Sequence, residues 1–277
     1  MTVSDWGDWL PRAVEDASPE GIALWYLGCN GFVLKASDGT TLFVDPYVGL
    51  GDPPRTIRMI PVPFDPEDVT EADAVFATHE HTDHVHGPSQ APILERTGAT
   101  FYAPDDSLVV AREEESWAEN HAIDDHQFHE VREGNTVEVG GFSVHVEPAH
   151  DPDATHPVSY VFEHDGRTVF HGGDTKPTDE FADIGEQYDI DLGILAFGTV
   201  GNIPDKETRE PKRTRWYNDE NQVIEAANDL QFDRLLPSHW DMWKGLTGDP
   251  TVLHHHAKSF AFPERLDIVE IGDRVDL

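Results

Sequence analysis

The chain has 277 residues, is 38% hydrophobic and carries a formal net charge of -35 at pH 7. A chain of this size can bury a substantial core, and α/β folds of this length often form one domain, so we predict a single domain over residues 1–277. Nucleic-acid binding relies on basic side chains at phosphates. Because only 19 basic residues face 54 acidic ones, nucleic acid is not an expected partner.

The cellular setting is inferred from three further features. The chain has one cysteine, Cys29, which excludes an intrachain disulfide and fits a reducing compartment. It has no apolar stretch long enough to cross a bilayer, and residues 1–6 lack the basic-then-apolar pattern of a signal peptide. We predict a cytoplasmic protein with no membrane partner, and the sequence leaves a homo-oligomer open.

The acidic residues are dispersed rather than gathered in one tail, as the runs at 113–115 and 124–125 illustrate. Many carboxylates with few lysines are typical of adaptation to high salt, where screening shortens the reach of charge repulsion to about 3 Å at 1 M. We therefore predict an acidic surface of the halophilic type.

The first half of the chain has the pattern of a β-meander followed by a mixed segment. Gly28 and the Asp38-Gly39 turn separate its early strands. Strands are predicted at 22–27, 31–35, 41–45, 74–77 and 100–103, and helices at 88–96 and 105–118.

The second half begins as another meander, with Asp165-Gly166 as a hairpin turn, and then alternates strands with helices. Strands are predicted at 136–139, 142–148, 158–163, 168–171, 191–197, 233–237 and 266–271, and helices at 217–230 and 250–259. A meander followed by βα units suits two packed sheets with helices outside. The predicted fold class is α/β (α+β), an αββα four-layer sandwich.

A dense cluster of metal-binding residue types follows the predicted strand at 74–77. Residues 78–84 contain His79, His81, Asp83 and His84, and imidazole with carboxylate suits zinc, manganese or iron. In an extended chain the first three side chains point the same way and His84 points elsewhere, so one loop can serve two adjacent metals. The alternative is a solvated turn that happens to contain histidines.

Three more candidate ligands follow other predicted strands. His150 closes the strand at 142–148, Asp174 follows Gly172-Gly173, where the backbone can turn tightly, and His239 follows the apolar strand at 233–237. Each is weak alone, because a lone histidine is more often a satisfied polar residue. Together with the cluster at 78–84 they predict a metal site built on strand ends.

The order His-x-His-x-Asp-His, His, Gly-Asp, His resembles the metallo-β-lactamase superfamily. Five stretches also resemble the L-ascorbate-6-phosphate lactonase family, and the similarity covers nearly the whole chain from about residue 6. These stretches are 6–10, 25–31, 73–79, 170–174 and 237–243.

The resemblance implies the metallo-β-lactamase fold and a binuclear site for two divalent ions, Zn²⁺ or Mn²⁺, with iron as a further candidate. Seven residues carry over one by one: His79, His81 and His150 hold the first metal, Asp83, His84 and His239 hold the second, and Asp174 bridges them.

The implied chemistry is hydrolytic. A divalent metal lowers the pKa of a coordinated water from 15.7 to about 7, and Asp83 is expected both to bind a metal and to orient the resulting hydroxide. His171 is a candidate for support of the site or for proton transfer to a leaving group. Its alternative is a strand-end histidine bonded to backbone. Asp45 is expected to hydrogen-bond a ligand histidine.

One basic segment stands out against the acidic background. Residues 206–215 hold five of the 19 basic side chains. Arg213 and Arg215 are predicted to bind the phosphate of a small anionic substrate, since guanidinium groups pair well with phosphate. The alternative is a solvated loop or an oligomer contact.

Three functions remain open at this stage. The favoured one is a metal-dependent hydrolase that opens a lactone or ester of an anionic sugar-acid phosphate. The others are a phosphodiesterase or phospholipase-like member of the same superfamily, and a non-catalytic metal-binding protein. Other nucleophiles fit poorly, since Cys29 is interpreted as a small buried residue and no Gly-x-Ser-x-Gly elbow is present.

Overall fold

A computed structural model describes residues 3–277. In chain order the strands of this part are β1 (Ile22–Gly28), β2 (Gly31–Ala36), β3 (Thr41–Val44), β4 (Ala74–Phe76), β5 (Thr100–Ala103), β6 (Phe128–Glu130), β7 (Thr136–Val139), β8 (Phe142–Pro148), β9 (Val158–His164), β10 (Arg167–His171), β11 (Leu192–Ala196), β12 (Gly201–Pro204), β13 (Pro211–Thr214), β14 (Arg234–Ser238), β15 (Arg265–Leu266) and β16 (Arg274–Asp276).

In chain order, the helices of residues 3–277 are α1 (Trp9–Glu15), α2 (Gly87–Thr97), α3 (Asp105–Val109), α4 (Trp117–Asn120), α5 (Glu180–Gln187), α6 (Glu220–Asp229) and α7 (Leu253–Ala257). None of the helices in residues 3–277 combines the length and the apolar character needed to cross a membrane.

Two seven-stranded sheets form the frame of the molecule. The first has the order β16-β1-β2-β3-β4-β5-β6 and the second the order β15-β14-β11-β10-β9-β8-β7. Phe32, Phe76, Phe162 and Ile194 belong to the apolar cluster that joins the two sheets. Two more clusters join the outer faces to helices, α2 on the first sheet and α5 with α6 on the second. The predicted αββα sandwich is confirmed, and residues 1–2 of the predicted domain lie outside the described residues.

Strand direction decides where the functional loops lie. In the first sheet β1, β3 and β4 run the same way, because β2 is antiparallel to both β1 and β3 while β3 and β4 are parallel. In the second sheet β8, β10, β11 and β14 also share one direction. The carboxyl ends of parallel strands meet at one edge, so the loops after β4, β8, β10 and β14 can converge there.

Most predicted elements are present within one or two residues of their expected bounds. The helix predicted at 105–118 is divided, because Ser116 has a left-handed backbone with φ of 53° and separates α4 from the turns after α3. The strand predicted at 266–271 survives only as β15. The helix predicted at 217–230 starts at Glu220, because the Asp219 side chain accepts backbone N–H groups there and caps it.

The sequence gives no prediction for α1, β6, α5, β16 or the hairpin of β12 and β13. Most of these elements are three or four residues long, or polar on one side, so that periodicity over so few residues carries little signal. The hairpin pairs Gly201 with Thr214 and Pro204 with Pro211. The basic segment at 206–215 therefore forms its turn and second strand.

Candidate metal centre

His84 is the best-fixed histidine of the cluster. Its Nδ1 lies 2.8 Å from Asp45 Oδ2, and Asp45 is itself held by the backbone N–H of Thr78 at 2.9 Å and by the Thr78 hydroxyl at 2.8 Å. Asp45 and His84 are both fully buried. A hydrogen bond from Nδ1 to the carboxylate leaves the lone pair of Nε2 free to bind a cation. Asp45 thus makes the hydrogen bond to a histidine that the sequence predicts for it.

The other ring nitrogen of His84 faces a second carboxylate. His84 Nε2 is buried, has no hydrogen-bond partner and lies 3.6 Å from Asp174 Oδ2. Burial lowers the pKa of His84, but the charges of Asp45 and Asp174 more than offset that effect and hold the pKa well above its usual value. Two carboxylates around one imidazole create a site that attracts positive charge, whether a proton or a metal cation.

Asp174 lies between two histidines, as a bridging residue would. Its Oδ1 is 3.6 Å from His239 Nε2, while its Oδ2 faces His84. Asn30 donates a hydrogen bond of 2.7 Å from Nδ2 to the same Oδ1. Gly173, with φ of 56°, lies so close to Thr78 that a Cβ atom would approach its Oγ1 to 2.7 Å, so this turn needs glycine.

His79 and His81 meet Asp151 rather than His150. Asp151 Oδ2 lies 3.5 Å from His79 Nε2 and 3.4 Å from His81 Nδ1, and the two histidine nitrogens are 2.9 Å apart. The side chain of His150 is exposed, and it belongs to no group of potential ligands among residues 3–277. The role of His150 at the first metal stays a prediction, and Asp151 is a further candidate ligand at this position because its carboxylate lies beside His79 and His81.

The physical reason lies in how β8 ends. The strand stops at Pro148, and the alternation of side chains that would have placed His150 is lost beyond it. The backbone N–H of His150 donates to Thr175 Oγ1 at 2.9 Å, and its carbonyl accepts from the N–H of Lys176 at 2.6 Å. His150 thus ties two loops together through its backbone while Asp151 faces the histidines.

A further group of potential ligands consists of Asp83, His239 and Cys29. His239 Nε2 lies 3.2 Å from Asp83 Oδ2, and the imidazole stacks on Tyr217 with ring centroids 3.9 Å apart. Burial would raise the pKa of Asp83, but the hydrogen bond from His239 and the charge of His84 outweigh it, so the pKa is held well below its usual value. Cys29 Sγ, 3.1 Å from His239 Nε2, completes this group.

His171 is hydrogen-bonded to backbone through both of its ring nitrogens. Its Nε2 donates to the Asn30 carbonyl at 2.9 Å, and its Nδ1 accepts from the backbone N–H of Gly173 at 3.3 Å. Both ring nitrogens are engaged by backbone in a fully buried position, which favours the alternative of a strand-end histidine bonded to backbone, and the catalytic role of His171 stays a prediction. The residue instead fixes the two loops that carry Asn30 and Asp174.

The donor set fits divalent metals. Residues 3–277 contain three groups of potential ligands, and within each group the ligand atoms lie within 4.8 Å of one another. Two of these groups share His79. Most of these atoms are imidazole nitrogens or carboxylate oxygens, which suit zinc, manganese and iron. The unpartnered Nε2 of His84 is a buried polar atom whose missing partner a cation would supply, since such atoms normally find one.

Solvent reaches the cluster from one side. His81 is 35% exposed and Asp83 is 19% exposed, whereas His79, His84 and His239 are at most 1% exposed. A substrate would therefore approach along the side formed by His81 and Asp83.

The two predicted phosphate-binding arginines lie on or just after the basic hairpin. Arg213 is exposed on β13, opposite Asn202. Arg215 forms an ion pair with Asp219, the residue that caps α6. Binding of a phosphate by Arg215 would have to compete with this carboxylate, and no contact joins either arginine directly to the metal ligands in the described part of the chain.

Lys176 is a basic residue at the site that the sequence interpretation overlooked. It follows Asp174 by two residues, and its Nζ donates to the Trp216 carbonyl. Burial lowers the pKa of Lys176, and the charges of Asp174 and Asp151 offset this lowering only in part. Two of the residues that the sequence did not predict, Lys176 and Asp151, lie within two positions of predicted ligands, but the direction of a side chain in a loop cannot be derived from the sequence. Cys29 and Asn30 lie far from the predicted ligands in the sequence, and only the fold brings them to the site.

Comparison with known proteins shows what the chain is similar to. A model of the β-lactamase superfamily domain matches residues 40–240 of the chain. Proteins described as "Probable L-ascorbate-6-phosphate lactonase UlaG" from Salmonella paratyphi B and Salmonella newport are 24% identical over 295 residues, which cover 90% of this chain and 78% of each relative.

Solved structures share the fold. Igni18, a metallo hydrolase from the archaeon Ignicoccus hospitalis, superposes with a TM-score of 0.67 at 21% identity over 92% of this chain and 98% of its own. An isothiocyanate hydrolase from Delia radicum gut bacteria gives 0.65 at 15% identity, covering 92% and 99%. The diiron β-hydroxylase CmlA from Streptomyces venezuelae gives 0.66 at 16% identity, covering 95% and 55%.

Proposed function

This chain belongs to the β-lactamase superfamily of metal-dependent hydrolases, and from that premise we propose that it opens a lactone or related ester of an anionic sugar-acid phosphate. The finer part of this proposal is supported by 24% identity to L-ascorbate-6-phosphate lactonases over 90% of the chain. The general part is supported by the cluster of histidines and carboxylates at the strand ends.

One observation carries the metal-dependent chemistry. His84 presents a buried, unpartnered Nε2 to Asp174, and its other nitrogen is held by Asp45. Such an arrangement is costly unless a cation is bound, because a buried polar atom without a partner loses about 1–3 kcal/mol. We propose that His79, His81, Asp151, Asp83 and His239 complete two positions, with His84 and Asp174 between them.

Divalent cations held by these residues would supply Lewis acidity, for the activation of water and for the stabilisation of negative charge on the attacked carbonyl oxygen. The protein holds the arrangement rigid. Asp45 and Thr78 fix His84, and Asn30 fixes Asp174. Asp83, the more exposed of the two carboxylates near His239, is placed to orient the nucleophile on the solvent side.

Lys176 is our candidate for the contact with the anionic group of the substrate. It is close enough to Asp174, Asp151 and Arg215 for their charges to act on its own pKa, and its Nζ donates to the carbonyl of Trp216, the residue after Arg215. Arg213 and Arg215 are proposed to attract the anion at longer range. A cation partly removed from water binds phosphate more strongly than one in solvent.

The proposal is tested by comparing two substrates with one protein. Metal-free protein is reconstituted with Mn²⁺ or Zn²⁺ in molar KCl, and hydrolysis of L-ascorbate 6-phosphate is compared with that of a chromogenic phosphodiester. We expect lactone opening that is lost in His79→Ala and retained in His156→Ala, whose side chain is 72% exposed. Circular dichroism of both variants checks folding.

The other outcomes decide between the alternatives. Cleavage of the phosphodiester alone would overturn the lactonase proposal and favour a phosphodiesterase. Metal binding without hydrolysis of either substrate would favour a non-catalytic metal-binding protein.

A further inference from the structure

Cys29 lies inside the metal cluster although its position in the sequence suggests only a small buried residue. It occupies the turn between β1 and β2 and is fully buried. Its Sγ is 3.1 Å from His239 Nε2 and 3.4 Å from Asp83 Oδ2. The three side chains therefore present sulfur, nitrogen and oxygen donors to one point.

The backbone holds this sulfur in place from two directions. The carbonyl of Cys29 accepts the backbone N–H of His239 at 2.8 Å and the hydroxyl of Tyr26 at 3.1 Å. Tyr26 is anchored in turn by Asp241 Oδ1 at 2.9 Å. These bonds tie the turn of Cys29 to the loop of His239, so the distance between Sγ and the imidazole is set by the fold.

A second feature points to a cation in the neighbouring group of potential ligands, which contains His84 and Asp174. His84 Nε2 is buried without a partner and is directed at Asp174, whose Oδ1 lies 3.6 Å from the same His239 Nε2 that Cys29 approaches. His84 Nε2 thus lies beside Asp174 and Cys29 Sγ beside His239, and Asp174 and His239 are themselves neighbours.

The alternative is an inert buried thiol. Cys29 also packs with the apolar side chains of Tyr217 and Trp243, and buried cysteines commonly behave as small hydrophobic residues. An inert thiol has no need to contact a histidine and an aspartate that the rest of the site uses. The contacts of Sγ favour a ligand role.

We propose that Cys29 Sγ is a protein ligand, together with Asp83 and His239, of one metal of the binuclear site. Cys29 would bind the metal as a thiolate, so metal binding would release the thiol proton. This inference rests on the proposed metal site. A thiolate favours zinc or iron over manganese at this position, so the two positions of the centre differ in metal preference.

Cobalt(II) tests the proposal directly because thiolate–cobalt bonds give an intense near-ultraviolet charge-transfer band, whereas imidazole and carboxylate ligands give only weak visible bands. The chain contains one cysteine, so such a band can come only from Cys29. We expect the band in cobalt-loaded wild-type protein and its loss in Cys29→Ser with the visible bands retained.

Asp151→Asn serves as the matched control, since Asp151 belongs to the group of His79 and His81 and not to that of Cys29. The charge-transfer band should persist in that variant. If Cys29→Ser does not fold, X-ray absorption of zinc-loaded wild-type protein replaces it, and a sulfur neighbour at the metal is the expected result.

Two results would overturn the inference in distinguishable ways. Cobalt-loaded protein with visible bands but no charge-transfer band, or zinc-loaded protein without a sulfur neighbour, would remove Cys29 from the site and leave the proposed function standing. Folded protein that binds no cobalt and no zinc would contradict both the ligand role of Cys29 and the proposed function.

Discussion

Asp45 determines which nitrogen of His84 faces the other ligands. Asp45 Oδ2 is 2.8 Å from His84 Nδ1, both residues are fully buried, and His84 Nε2 is left facing Asp174 without a hydrogen-bond partner. The carboxylate therefore fixes the tautomer and the ring orientation that a metal ligand needs.

Replacing Asp45 should weaken metal binding without a direct loss of any ligand. In Asp45→Asn we expect metal affinity to fall by roughly 10- to 100-fold, because the amide no longer supports the ligand histidine. Competition with a chromogenic chelator measures the change. Asp165→Asn, in the exposed turn between β9 and β10, is the control. Equal affinities for Asp45→Asn and wild type would refute the positioning role.

Adjacent residues give a sharp test of the first metal position. Asp151→Asn should lower metal affinity and hydrolysis, because Asp151 Oδ2 lies within 3.5 Å of His79 and His81. His150→Gln should leave both near wild type, since the His150 side chain is exposed. Calorimetric titration with Zn²⁺ compares the variants. The reverse pattern would restore His150 as the ligand and reject Asp151.

His171 is expected to matter for stability rather than for proton transfer. His171→Phe leaves the Asn30 carbonyl and the Gly173 N–H unpaired, and each buried group left without a partner costs about 1–3 kcal/mol. Urea unfolding in high salt should show this loss, while the pH dependence of residual hydrolysis keeps its shape. His129→Phe, at an exposed position of β6, is the control. A stable variant with a displaced pH profile would return His171 to a catalytic role.

The acidic surface predicts a dependence of stability on salt. With a net charge of -35, lowering KCl from molar to millimolar should lower the midpoint of thermal unfolding, because the screening length grows from about 3 Å at 1 M to about 30 Å at 0.01 M. Differential scanning calorimetry measures it. Sucrose is uncharged, so a low concentration of sucrose in millimolar KCl should not restore the midpoint of thermal unfolding. An unchanged midpoint across this range would argue against a halophilic surface.

Much of this arrangement was predictable because it depends on strand ends. His79, His84, Asp174 and His239 each follow a strand that the pattern of apolar residues identifies, and parallel strands bring such ends to one edge. Asp45 was likewise expected to bond a ligand histidine, and it contacts His84.

The features of the site that the sequence does not predict depend on the direction of side chains beyond the end of a strand. His150 and Asp151 differ by one position, and only the path of the chain beyond Pro148 decides which of them faces His79. The sequence predicts a buried Cys29, and the residue is buried, but its contact with His239 joins two residues 210 positions apart. Such a contact depends on how the two sheets meet, which local periodicity does not encode.

The proposed binuclear metal-dependent hydrolase is tested most directly by counting the bound metal ions and measuring hydrolysis at the same time. Metal-free protein is titrated with Zn²⁺ or Mn²⁺ in high salt, bound ions are counted by native mass spectrometry, and opening of L-ascorbate 6-phosphate is followed at each step. We expect two ions per chain and hydrolysis that rises as they bind. Undiminished hydrolysis by the metal-free protein, or folded protein that binds no ion, would contradict a binuclear metal-dependent hydrolase.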